Sequence, residues 1–289
     1  MIYHKNAHYL TFSRLNVEVL FIYYLLYKMN EQYGASRITE GSVGERPNSE
    51  TLVKEFEKYN MTCVSGFWKV DNKHGDQYTD WFQNSLKINS PYVFFSDKEG
   101  IEIIKKYRQN FPTIYIECDI QDFHTYKYKD RMKTHPIHCP SVELNLIWNE
   151  KIFLMKKAAE LNPFFSDFFC WVDAGICTYR DCAPPTIPFP NADKLIHLPK
   201  DKFIYSSSYR YREIDVRIDN YYHHVSGTYI LHKNIINDFT KIYDNYLDKM
   251  LDNNNIWTDQ VVLTHIFKDN KHLFYQLCSG YGEIITSMY

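Results

Sequence analysis

The chain has 289 residues, enough for a sizeable core in one large domain or two small ones. Its 33 basic and 35 acidic residues nearly cancel, so charge gives no reason to expect a nucleic acid or an anionic membrane as partner. A hydrophobic share of 45% with 24% charged residues describes a globular protein, and the 25 Tyr and 19 Phe suit AT-rich coding better than an aromatic binding surface.

The first 60 residues read as an N-terminal helical appendage and linker. VEVLFIYYLLYKM (17–29) contains a continuous apolar run, bracketed by Glu18 and Lys28 and too short for a bilayer span, which needs about 20 residues. It suits a buried or docking helix, and through it a membrane-peripheral location or a homodimer interface. No small-residue cleavage site follows it. GASRITEGSVGERPNSE (34–50) has linker composition.

From Met61 the texture changes. Seven short apolar runs read as strands: MTCVSGF (61–67), PYVFFS (91–96), TIYIEC (113–118), DFFCWVD (167–173), KFIYSS (202–207), GTYIL (227–231) and HLFYQL (272–277). Helices are predicted over 97–110, 141–160 and 234–251, the last with Ile235, Ile236, Phe239, Tyr243, Tyr246, Leu247 and Met250 at helical spacing. Alternation of this kind predicts an α/β layer fold with a mixed, mostly parallel sheet flanked by helices. CAPPTIPFP (182–190) is a stiff loop. The seven cysteines include no CxxC pair, which points to free thiols in a cytoplasmic or other reducing compartment. A zinc site built from Cys177, Cys182 and HPIHC (135–139) lacks the short ligand spacing zinc sites use.

Ligands of open α/β sheets bind beyond the carboxyl ends of strands. Ser65 and Gly66, Asp97, and Asp173 of CWVDAGIC stand at three such ends and become candidates for one cleft. No GxGxxG or GxxxxGK[ST] loop occurs, which disfavours dinucleotide dehydrogenases and P-loop NTPases. Downstream, HHVSGTYILHK (223–233) leads a paired histidine into a strand. IWTDQVVLTHIF (256–267) places Thr258, Asp259 and Gln260 at a helix start, where Thr258 can cap and Asp259 suits the helix dipole.

The stretches VSGFWKVDNK (64–73), YTDWFQNSLKINSPYVFFSD (78–97), LNLIWNEKIFLMKKAAELNPFFSDFFCWVDAGI (144–176), SGTYIL and WTDQ resemble the HtrL/YibB (WlaTC-like) family, over roughly residues 61–285. Their order, a strand-end Asp, a Ser-Gly strand and an Asp-Gln helix start, is also similar to that of GT-A nucleotide-sugar glycosyltransferases. The resemblance implies a GT-A-like domain over 61–289 that moves a sugar from a nucleotide-diphosphate sugar, a UDP-sugar first, to a hydroxyl of a glycan, protein or lipid. It implies catalytic roles for Asp259 and Asp173, and nucleotide-sugar contacts from Ser65, Gly66, Asp97, Lys151, Asp173 and Gly175. Ser226, Gly227, Trp257 and Gln260 fall on the acceptor side. Where the GT-A motif carries a second Asp this chain has Gly175, which bears on the metal. Mn2+ or Mg2+ would be held by Asp173 with Asp259, His224 or His272 as a second ligand. Alternatively, Lys151 or Arg180 neutralises the leaving diphosphate with no metal. Two other readings stand beside this one: a catalytically inactive glycan- or nucleotide-binding protein with the same fold, and a nucleotidyltransferase, for which SGFWKVDNK supplies poorly the Gly-rich basic segment required.

Overall fold

The computed structural model describes residues 59–211, 223–253, 256 and 258–289. The appendage expected over 1–60, with its apolar stretch at 17–29, therefore lies outside the described residues apart from Tyr59 and Asn60. Seven strands form one sheet: β1 (Met61–Phe67), β2 (Tyr92–Ser96), β3 (Thr113–Glu117), β4 (Phe168–Trp171), β5 (Phe203–Ser207), β6 (Val225–His232) and β7 (Phe274–Ser279). The α-helices are α1 (Tyr78–Ser85), α2 (Lys98–Lys105), α3 (Val142–Leu161), α4 (Ala192–Leu195), α5 (Lys233–Asn253), α6 (Asp259–Asp269) and α7 (Glu283–Ser287).

The sheet order is β3-β2-β1-β4-β6-β5-β7. β1 pairs in parallel with β2 and β4, β2 with β3, and β5 with β7, while β6 runs antiparallel to both β4 and β5. The mixed, mostly parallel sheet flanked by helices is thus present. Each predicted apolar run coincides with one strand. The inner strands read as continuous runs because both faces are covered, while the edge strands β3 and β7 are partly exposed. Val64, Phe95, Phe169, Trp171 and Tyr229 enter one core, and Cys63, Phe94, Phe168, Cys170 and Ile230 the other. The first core is closed by α3, α5 and α6. On α5 the stripe Ile236, Phe239, Tyr243, Leu247 and Met250 is buried, as its spacing required.

Helix ends follow local chemistry. Asp97 caps α2 by accepting from Gly100 N at 2.7 Å. Ser141 caps α3 by accepting from Leu144 N at 3.2 Å, and α3 stops at Asn162 in the left-handed region. The helix predicted over 97–110 ends earlier, at Lys105. Past that point Arg108 turns inward, donating to the carbonyls of Leu86, Ile88 and Ser90 and to Thr113 Oγ1, with its guanidinium 3.9 Å from the Tyr92 ring. These four hydrogen bonds, three to loop carbonyls and one to the first residue of β3, hold the guanidinium where another helical turn would have carried the residue away. All seven cysteines are free thiols. No described helix is long and apolar enough to cross a membrane.

Candidate functional site

A cavity of about 830 Å³ opens beyond the carboxyl ends of β1 and β4. Its walls come from the segment following β1 (Gly66–Asp76), the turn following β4 (Asp173–Cys177), the middle of α3 and the first residues of α6. Tyr78 of α1 and Tyr281 complete the mouth.

The floor is built by α3, which is buried almost all round. That is why Lys151, whose sequence context also suits a solvated surface lysine, is only 5% exposed. Its neighbours on the helix are polar and satisfied. Asn145 donates to Lys133 O and Ile256 O, anchoring the segment before α6, and Asn149 accepts from Tyr243 Oη. Glu150 accepts from His124 N, Thr125 N and Thr125 Oγ1. Burial pushes the Glu150 carboxyl up to about 7 against those hydrogen bonds.

Lys151 Nζ lies 3.1 Å from Asp173 Oδ1 and 3.3 Å from Asp259 Oδ2. Three distant positions, mid-α3, the end of β4 and the start of α6, thus converge on one ammonium. Asp173 Oδ1 also accepts from Trp171 Nε1 at 2.8 Å, so the β4 aromatic orients its own strand-end carboxylate. Thr258 Oγ1 caps α6 through Gln260 N and lies 3.1 Å from Asp259 Oδ1. Burial alone would push Lys151 down, but the two aspartates together hold its ammonium above the ordinary value. Burial pushes Asp259 up, opposed by Lys151 and aided by the charge of Asp173. With two carboxylates to one ammonium, Asp259, 4% exposed against 31% for Asp173, is the costlier anion.

Two glycines shape this centre by what they lack. A Cβ on Gly227 would sit 3.1 Å from Lys151 Nζ, so the bare β6 backbone makes room for the ammonium. A Cβ on Gly175 would fall 2.8 Å from Tyr78 Cδ1 and 3.1 Å from Trp81 Cε3. The position where a second motif carboxylate was expected is therefore closed by the aromatic face of α1. Next to it, Arg180 donates from Nε to Gly175 O at 3.0 Å and stacks 3.6 Å from the Trp81 ring.

Of the residues singled out from the sequence, Gly66, Lys151, Asp173, Gly175, Asp259 and Gln260 line the cavity, as does Arg180. Gly227 backs Lys151 from β6. Trp257 lies outside the described residues. Ser65, Asp97 and Ser226 are not brought to the cavity. Ser65 is buried within β1, Asp97 is spent on the α2 cap, and Ser226 Oγ bonds Ser206 Oγ and Thr228 O inside the sheet. The reason is geometric for Ser65 and Ser226: alternate residues of a strand point to opposite faces. His224 does not line the cavity either, and both of its ring nitrogens are engaged. Its Nε2 pairs with Tyr205 Oη at 2.8 Å and its Nδ1 with Tyr209 O, while its ring packs on Phe267. His272 is exposed away from the cavity. Among the described residues, no group of three or more His, Cys, Asp or Glu could hold a metal ion. Missed from the sequence were Tyr78 and His74, which line the cavity, and Trp81 packed behind them, an aromatic cluster whose rings lie 4.9–5.9 Å apart. The spacing of Tyr78 and Trp81, i and i+3 on one helix face, was the signal available.

The family model HtrL_YibB, described as a bacterial protein of unknown function, matches residues 114–284, more than half of the chain. The chain belongs to this family. The matched stretch contains Lys151, Asp173, Arg180 and Asp259, whereas β1 and the aromatic cluster of α1 precede it. No curated protein matches the chain. Among solved structures it is similar to the crystal structure of 4-diphosphocytidyl-2C-methyl-D-erythritolsynthase from Anaerococcus prevotii DSM 20548, at 11% identity and a TM-score of 0.36, covering 80% of this chain and 91% of that one. That likeness is too loose to carry chemistry across.

Proposed function

We propose that this member of the HtrL_YibB family is a GT-A-like glycosyltransferase acting on a nucleotide-diphosphate sugar, with a UDP-sugar the first to test. The reading rests on one observation: Asp173, Lys151 and Asp259 meet in a large cavity at the carboxyl ends of parallel strands. This is the edge where open α/β sheets bind ligands. The order of these residues along the chain, similar to that of GT-A enzymes, supports the same assignment.

The reaction breaks the bond between the sugar anomeric carbon and the diphosphate oxygen and forms one from that carbon to an acceptor oxygen. The acceptor proton passes to a base, and the diphosphate leaves with the bonding pair. Both oxygens of Asp259 are engaged, one by Thr258 and one by Lys151, so Asp259 is assigned to holding the centre in place. Asp173 is the more exposed carboxylate. Only its Oδ1 has partners among the described residues, leaving Oδ2 to accept a ligand hydroxyl, either to orient it or to take its proton. Gln260 and Tyr281 at the cavity wall suit hydrogen bonds to a sugar.

Incubation with UDP-, GDP- and dTDP-sugars, followed by chromatography for released nucleoside diphosphate, tests the proposal. Release from at least one donor, abolished in Asp173→Asn, is the expected result. Binding without release from any donor, surviving Asp173→Asn, would instead support an inactive glycan- or nucleotide-binding protein.

A further inference from the structure

A strand-end aspartate facing a second carboxylate ordinarily invites a divalent cation, but the donors here do not fit one. Hard cations take about six oxygen ligands, with carboxylates directed at the ion. Asp173 Oδ1 and Asp259 Oδ2 are instead directed at Lys151 Nζ, Asp259 Oδ1 is taken by Thr258, and Trp171 shares Asp173 Oδ1. Only Asp173 Oδ2 is left over. Position 175 cannot carry a further carboxylate without displacing Tyr78. The ammonium fills the place a metal would take, and its charge is consumed there.

The charge for a ligand stands at the mouth. Arg180 is fixed from two sides, its face on Trp81 and its Nε on Gly175 O. Its two terminal nitrogens make no hydrogen bond among the described residues, and the residue lines the cavity. A guanidinium held flat with two donors free is preorganised for bidentate contact with phosphate. Around Arg180 the wall carries Lys69 and Lys73 beside Asp71 and Asp76, so cations and carboxylates balance there and the fixed guanidinium itself is what offers an anion donors. His74, whose ring packs on Trp81, is held down to about 4 by burial and then by the charges of Arg180 and Lys73. His223, also on the wall, is held down to about 4 by burial, His138 and Lys73. For both histidines burial is the first cause and the nearby cations only the second.

We propose that the cleft binds the diphosphate group of its ligand on Arg180 without any divalent cation, Lys151 occupying the cation's place between Asp173 and Asp259. The proposal rests on the nucleotide-sugar reading only for the choice of diphosphate as ligand. Inorganic pyrophosphate is the probe, titrated calorimetrically into the full chain in EDTA. In parallel, Mn2+ is titrated into the apoprotein without pyrophosphate and followed by electron paramagnetic resonance. Saturable pyrophosphate binding in EDTA is expected, weakened about 10-fold or more by Arg180→Gln, as loss of charge-assisted hydrogen bonds requires, and less by Arg180→Lys, which keeps the charge but not the fork. Mn2+ should remain free in solution. Absence of pyrophosphate binding in EDTA, wild-type affinity in a folded Arg180→Gln protein, or stoichiometric Mn2+ binding lost in Asp173→Asn would each overturn it. Metal-free pyrophosphate binding with no turnover of any nucleotide sugar would refute the proposed reaction alone. Turnover that requires Mn2+ would refute only this inference.

Discussion

Replacing Lys151 by Met tests the centre most directly, because Met keeps the length of the stem and deletes only the charge. The ammonium contacts carboxylates at 3.1 and 3.3 Å. At an effective dielectric constant of 20, each contact is worth about 5 kcal/mol of gross attraction. Most of that offsets the desolvation of three buried charges, so the net cost is the one seen when a single partner of a buried pair is removed, about 3–5 kcal/mol. Asp259 bears it, being the most enclosed anion. The sign with pH follows from its folded value, which burial already raises above the ordinary 3.8. Between the unfolded and folded values the native state holds more protons than the unfolded chain, so stability falls as pH rises through that window. Without Lys151 the folded value climbs further and the window widens upward. Urea unfolding of Lys151→Met should therefore show a loss of about 3 kcal/mol or more at pH 8, and roughly half that at pH 5, where the stranded carboxyl has taken a proton. Adding Asp259→Asn should recover most of the loss at pH 8. A loss below about 1 kcal/mol, equal at both pH values and unaltered by Asp259→Asn, would mean that Lys151 behaves as a surface lysine, and the account of the centre would be wrong.

Gly175→Asp, which restores the expected second carboxylate, should destabilise by about 1–3 kcal/mol through its collision with Tyr78; thermal unfolding measures this, and Tyr78→Ala in the same chain should relieve part of it. Glu150 titrates in the folded state at about 7 against an ordinary 4.5, so wild-type stability should fall by about 3 kcal/mol from pH 4.5 to pH 8, while Glu150→Gln should lose most of that slope in denaturant titrations. Thr258→Ala removes the cap of α6, and chemical denaturation should register a loss of about 1 kcal/mol. Arg108→Lys cannot reproduce the guanidinium fork that holds three loop carbonyls, and should lower stability by about 2–4 kcal/mol in the same assay.

The strands were legible because both sheet faces are buried, so apolar runs such as MTCVSGF and PYVFFS stand out against polar connections. The two site aspartates were legible because each occupies a position with a local rule, Asp173 ending a strand and Asp259 opening a capped helix. Lys151 was identified as a candidate, but not its surroundings. On a helix buried all round, the usual contrast between apolar and polar faces is absent, and nothing local distinguishes a lysine pointing inward from one in water. Ser65 and Asp97 looked equivalent to Asp173 in sequence, and the family resemblance put Ser226 on the acceptor side. Strand alternation and a cap hydrogen bond remove them from the cavity.

Sequence by itself determined the apolar runs, the helical spacing, the Thr258 cap and the strand-end carboxylate, since these depend on residues within a few positions of each other. Only the tertiary structure decided that Lys151 stands between Asp173 and Asp259, and that Tyr78 closes the space over Gly175. Those contacts join residues about 20 to 110 positions apart, and their energies come from burial and charge that no single stretch contains.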